Sequence, residues 1–155
     1  MKKKAILLTP VLLAVMLALT VQANRMHHEE ESIKTVIESG YVHGAFNELN
    51  PEAMLKTFHK DFAIFSPGEN GEINKYPIAV WAERTEQRKA DPDFNPENNV
   101  WEHKFTRIDV SGEAAAVQIE LYNGGKHIFT DYLSLLKFDN EWKIVAKVYH
   151  RHLTP

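Results

Sequence analysis

The chain has 155 residues, 18 Lys and Arg against 21 Asp and Glu, a net charge of −3 and no cysteine. That length suits one domain with its own core. The lack of thiols excludes disulfides, thiolate zinc, iron–sulfur clusters and thiol catalysis. The interspersed charges form no basic stripe for nucleic acid.

Met1-Lys2-Lys3-Lys4, an apolar run over 5–21 and Val21-Gln22-Ala23 have the pattern of an export signal cut after Ala23. Pro10 and the shortness of the run weigh against a permanent membrane anchor. The expected organisation is a signal peptide over 1–23 and one domain over 24–155. The expected protein is secreted or periplasmic, with no membrane contact after cleavage. Residues 24–31 are polar and expected to fray, with His27-His28 beside three glutamates read as a solvated helix start.

Ser32 to Leu49 reads as the first helix, because Ile33, Val36, Ile37, Tyr41, Ala45 and Leu49 recur at three- and four-residue spacing. Gly40 and Gly44 fall on it. Each costs about 1 kcal/mol relative to alanine in a helix interior, so close approach of another backbone, expected to be the sheet, has to offset it. Tyr41, on the apolar stripe, needs a partner for its hydroxyl. Asn50-Pro51 opens a short second helix, with Asn50 as cap and Pro51 in the first turn. A short strand over 62–65, the loop Ser66-Pro67-Gly68-Glu69-Asn70-Gly71, a second small strand over 72–76 and a third helix over 77–90 follow. Residues 91–99, with two prolines and three asparagines, form a loop and a candidate lid.

The C-terminal third reads as a meander of four strands over 100–110, 113–122, 128–138 and 142–152. Ser111-Gly112, Asn123-Gly124-Gly125 and Asp139-Asn140-Glu141 connect them, Gly-rich and Asp/Asn-rich turns that tolerate positive φ. In the third strand of this meander Ile128, Tyr132, Leu136 and Phe138 fall on one face and Phe129, Leu133 and Leu135 on the other. A sheet apolar on both faces is covered on both. Helices can cover one, so a second copy is expected on the convex face, giving a homodimer.

This order of elements, with Phe58-His59-Lys60-Asp61 after the second helix and the closing run Leu136-Lys137-Phe138-Asp139-Asn140-Glu141-Trp142-Lys143-Ile144-Val145, resembles the nuclear transport factor 2-like superfamily. Within it the chain is similar to the lumazine-binding branch over residues 30–152. The resemblance implies an α+β cone, a curved antiparallel sheet wrapped around three N-terminal helices, with a pocket at its open end. It implies a small-molecule ligand, a flat heterocycle of pterin or flavin type by the branch name, and no bound cofactor. Tyr41, His59, Ser66, Trp81, His103, Tyr132 and Ser134 are the expected polar or aromatic lining, with Phe46, Phe65 and Phe105 as apolar walls, a mix that suits small-molecule sites.

Members resembling ketosteroid isomerases need a carboxylate base at the end of the first short strand, and a tyrosine plus a protonated aspartate as oxyanion donors. Here those positions fall on Ser66, Tyr41 and Ser134, so only the tyrosine matches. Serine without a partner base cannot take the proton. An alternative acid/base pair for a dehydratase, isomerase or hydrolase is His59 with Asp61, acting with Tyr41. The competing structural reading has His59 capping the second helix and Asp61 holding backbone amides. His150 and His152 share a strand face, with His103 or Asp131 as conceivable third metal ligands, but solvated histidines are the simpler reading and no metal is expected. Of the three tryptophans, Trp81 is the stacking candidate, Trp142 is expected in the core and Trp101 at an interface. A third reading makes the chain a dimeric interaction module with a vestigial pocket.

Overall fold

The computed structural model describes residues 8–152. Helix α1 (Leu8–Val36) runs without interruption into a π-helical segment, Ile37–Asn47. Ile33, Ile37, Tyr41, Ala45 and Leu49 are each at most 1% exposed, a strict four-residue repeat. On a helix of 3.6 residues per turn, four residues overshoot a full turn by about 40°. Widening the turns to i→i+5 bonding brings the repeat back into line. Residues 24–31, expected to fray, are helical. The Glu29 carboxylate accepts from Lys137 Nζ at 2.6 and 2.8 Å and from Trp142 Nε1 at 2.8 Å, fastening α1 to the sheet. Upstream, Leu13, Met16, Leu17 and Leu19 are 60–74% exposed, and the core begins at Ile33.

Helix α2 (Pro51–Thr57) starts as its sequence directs, with Asn50 Oδ1 accepting from Ala53 N at 3.2 Å. It, rather than the sheet, is what the two glycines admit. A Cβ on Gly40 would lie 1.6 Å from Thr57 Oγ1, and one on Gly44 would lie 3.2 Å from Met54 Cγ. Helix α3 (Ile78–Lys89) turns Ile78, Trp81, Ala82 and Thr85 inward.

The six strands are β1 (Phe58–Pro67), β2 (Ile73–Pro77), β3 (Trp101–Ser111), β4 (Ala114–Asn123), β5 (Lys126–Phe138) and β6 (Glu141–Arg151). They form one sheet of order β2-β1-β6-β5-β4-β3. The expected four-strand antiparallel meander is present as β3–β6. β1 is longer than expected and docks parallel to β6, so the sheet is mixed. The β5–β6 turn has φ of 47° at Asp139 and 70° at Asn140, the two positive values that a primed hairpin turn needs. Register shifts interrupt β3–β4, β4–β5 and β5–β6. Bulges of this kind bend strands and increase twist, which curves the sheet around the helices. Ala115, Val117, Ile119 and Leu121 of β4 and Leu133 and Leu135 of β5 line the concave face. The α+β cone expected from the sequence is the fold observed.

Candidate functional site

Three polar side chains meet inside the cone. Tyr41, on the π-helical segment, donates its hydroxyl to Asp131 Oδ2 on β5, and Lys147 Nζ on β6 donates to the Tyr41 hydroxyl. Lys147 Nζ also lies 2.9 Å from Asp131 Oδ1, an ion pair. Tyr41 and Asp131 are 0% exposed and Lys147 4%. Burying a charge is costly unless it is paired and hydrogen-bonded, and here each charge has its counter-charge and a shared hydroxyl.

A bulge is what brings Lys147 inside. Leu135 pairs with Ile144 and Ser134 with Ala146, so Val145 is the extra residue on β6. Trp142 and Ile144 face the core ahead of it. Plain alternation from them would turn Ala146 and Val148 inward and Lys147 to solvent. The extra residue reverses the phase: Lys147 is buried and Val148 is 49% exposed. On β5 no reversal intervenes, and Phe129, Asp131, Leu133 and Leu135 share the concave face.

Aromatic rings surround the ammonium. Nζ lies 4.8 Å from the Tyr41 ring centroid, 5.1 Å from Tyr149, 5.7 Å from Phe129 and 5.9 Å from both Phe46 and Trp81. Aromatic rings at such distances attract a cation through their quadrupoles, and Tyr41 adds its hydroxyl oxygen as an acceptor. Burial holds the Lys147 ammonium below the ordinary lysine range, against the pull of Asp131. Burial first, and then the Asp131 charge and hydrogen bond, push the Tyr41 hydroxyl well above the ordinary tyrosine value. Tyr41 is therefore a protonated donor throughout the neutral range.

From this cluster a run of partly buried rings leads outward to the half-exposed Tyr149. Phe46 packs on Trp101 at 4.9 Å, Trp101 stacks on Phe129 at 6.1 Å, and Phe129 meets the half-exposed Tyr149 at 5.8 Å. The expected lid loop is strapped here. Trp101 N donates to Asn47 Oδ1 at 2.8 Å, Asn47 Nδ2 donates to Trp101 O at 3.3 Å, and Asn99 donates to the Phe46 and Asn47 carbonyls.

Of the residues expected to line a pocket, the structure brings Tyr41 and Trp81 into this cluster, Trp81 as 9%-exposed core packed on Tyr41, Phe46, Phe58 and Phe62. His103 is on the concave side, but its Nε2 faces Glu38 at 3.2 Å. Tyr132 and Ser134 are exposed on the outer face, one residue out of phase with Asp131. The carboxylate beside Tyr41 is thus Asp131, where sequence alignment pointed to Ser134. Its pairing with Lys147 makes it an ion-pair partner rather than an oxyanion donor. Ser66 sits on β1 opposite Asn74 of β2. His59 stacks on Phe138 at 4.9 Å, and its Nδ1 accepts from Asp61 N at 3.2 Å. Asp61's side chain is 76% exposed. The His59–Asp61 pair exists but is not joined to Tyr41, whose hydroxyl is committed to Asp131 and Lys147. His152 turns its Nε2 to Thr130 Oγ1 at 2.9 Å beside His127, rather than to His103 or Asp131. Among the described residues no three His, Asp or Glu side chains are arranged to hold a metal. Trp142 is in the core, and Trp101 is partly buried between Phe46 and Phe129.

A curved, open six-stranded sheet wrapped over helices, with a buried polar cluster ringed by aromatic residues inside it, defines an NTF2-like cone domain. The chain belongs to the family described as "Putative lumazine-binding", whose pattern matches residues 28–150. It is similar to an NTF2-like protein of unknown function from Shewanella baltica OS155, at 27% identity and TM-score 0.64, over 82% of this chain and 96% of that one. It is likewise similar to an NTF2-like protein of unknown function from Methylobacillus flagellatus KT, at 28% identity and TM-score 0.60, over 81% and 94%. A third NTF2-like protein, from Silicibacter pomeroyi DSS-3, shares the fold at 20% identity and TM-score 0.64, over 82% and 98%. No functionally curated protein matched the sequence.

Proposed function

We propose that this is an exported binding domain for a small, flat, partly aromatic ligand, held at the wide end of the cone over the Tyr41–Asp131–Lys147 cluster. The observation that carries it is a buried ion pair beneath half-exposed rings. Apolar side chains of similar volume would serve a core as well or better, whereas a floor with a fixed donor, a cation and a carboxylate suits polar recognition. The family description supports a heterocyclic ligand. Phe46, Trp101, Phe129 and Tyr149 would sandwich its faces, and the cluster would meet its edge. In this reading the rings swing apart to admit the ligand, since they cover Lys147 in the structure. Thermal melts of the mature chain with lumazine and riboflavin test it: a dose-dependent rise lost in Phe129→Ala supports the proposal. No shift for either heterocycle, or an equal shift in the variant, refutes it.

Export rests on the leader pattern and on the exposure of its apolar residues from Leu13 to Val21. Intact mass of the protein from the expressing cell tests it, and an N-terminus at Met1 refutes it. A dimer through the outer sheet face is a second part of the proposal. It is favoured by the exposure there of Tyr132 (49%), Val148 (49%) and Leu136 (41%), beside the small side chains of Ala114, Ala116 and Ser134.

A further inference from the structure

We propose that Lys147 captures carbonyl compounds covalently, as a protonated imine formed inside the cone. The proposal rests on the reading of the cone as a ligand site and names the class of ligand: a flat aromatic aldehyde or ketone. Three observations carry it. Among the described residues the only amine inside the aromatic cluster is Lys147, 4% exposed, with Nζ 5.1 Å from the centroid of Tyr149, a ring itself 41% exposed. A carboxylate lies 2.9 Å from Nζ, and a hydroxyl bonded to both completes the set. Desolvation, which lowers the lysine's proton affinity, is a recognised way of making an amine nucleophilic.

The residues account for every proton. Asp131 takes one from the ammonium. The freed nitrogen attacks the carbonyl carbon as the carbonyl π pair moves to oxygen. Tyr41, donating to that oxygen, relays a second proton to it from nitrogen. Asp131 then returns the first proton to the carbinolamine oxygen, which leaves as water while the C=N bond forms. Ammonium plus carbonyl gives protonated imine plus one water, and no oxidant or reductant is needed. The positive charge ends where it began, facing Asp131 and ringed by aromatic faces, so the surroundings that hold the ammonium also hold the product. A cation at an exposed site would gain no such matched cage.

Naphthaldehyde with cyanoborohydride tests this on the mature wild-type chain at neutral pH, with one equivalent of probe, intact mass and peptide mapping. The expected result is single labelling with most of the adduct on Lys147, although Lys60 and Lys104 are far more exposed. Tyr41→Phe should slow labelling at that peptide on the order of tenfold or more, and Lys147→Arg should abolish it while keeping the cation. Label spread over surface lysines and missing from Lys147 overturns the proposal, as does unchanged incorporation in Lys147→Arg. Naphthylmethanol, which cannot form an imine, separates the two claims. A melting shift with the alcohol but no adduct on Lys147 sinks covalent capture and leaves the binding site standing. No adduct on Lys147, together with no melting shift for the alcohol, lumazine or riboflavin, sinks both.

Discussion

Replacing Lys147 by methionine tests the account of the buried cluster. The ammonium is the counter-charge of Asp131 at 2.9 Å, and the carboxylate is 0% exposed. Removing it leaves Asp131 with the Tyr41 hydroxyl alone in a shell of aromatic rings. Deleting one member of a buried pair costs about 3–5 kcal/mol, chiefly because the other charge remains. For a domain of this size that is a drop of roughly 10–20 °C in Tm and a large part of the 5–15 kcal/mol that folds a typical domain. The triple variant Lys147→Met, Asp131→Leu, Tyr41→Phe removes the whole cluster and should recover most of the loss, ending within about 1 kcal/mol of wild type or above it. Urea unfolding of the mature chain, with midpoint and slope measured for each variant, reads both numbers. A Lys147→Met that loses under about 1 kcal/mol, or a triple variant worse than the single, would refute the reasoning, since the cost would then not come from a stranded carboxylate.

Gly40→Ala should destabilise by at least the 1–3 kcal/mol of an overpacked core, because its Cβ would overlap Thr57 Oγ1; Thr57→Ala in the same chain should recover much of this in a double-mutant cycle. Lys137 and Trp142 hydrogen bonds hold Glu29 below the ordinary carboxylate value. Its contribution is therefore present above that value and lost as pH falls through the lowered folded one, so Glu29→Gln should flatten the acid side of the stability profile. Tyr41 has the opposite sign: its raised value makes the folded state bind the extra proton above the ordinary tyrosine range, so stability should fall as pH rises past about 10, and Tyr41→Phe should lessen that fall. Tyr132→Glu should convert a dimer to a monomer in sedimentation velocity with the monomer's fold intact; a wild type already monomeric at micromolar concentration contradicts the dimer.

The meander was legible because its turns carry the residues that positive φ demands, at Asp139-Asn140 and Gly124-Gly125, and because β4 alternates cleanly from Ala115 to Leu121. Tyr41 was legible as a buried polar residue on an apolar stripe. The π-helical turns left a trace as well: a repeat of strictly four residues from Ile33 to Leu49 fits no straight 3.6-residue helix. β1 was read as too short, since its pairing with β6 is parallel and joins strands far apart in sequence, which local patterning cannot reveal. The partners of Tyr41 were missed for two different reasons. Asp131 follows plain alternation, and a carboxylate in phase with Phe129, Leu133 and Leu135 was the available signal. Lys147 required the bulge at Val145, and a local run such as Ile144-Val145-Ala146-Lys147-Val148 does not announce which of its residues will be the unpaired one.

That bulge joins the fold to the chemistry. In a β6 paired throughout in one phase, Ala146 and Val148 would face the concave side and Tyr41 and Asp131 would meet no cation. The extra residue increases local twist and, at the same step, rotates one lysine and Tyr149 inward. Part of the cone's curvature and its buried cation therefore share a structural cause. Deleting Val145 would leave Ile144, Ala146 and Lys147 alternating in, out and in opposite Leu135, Ser134 and Leu133, so it should keep Lys147 inside and remove only the local bend. With Val145 in the chain, the cluster depends on an irregularity in backbone pairing, not on an inserted loop or a bound group, and its chemistry is tied to the register of two neighbouring strands.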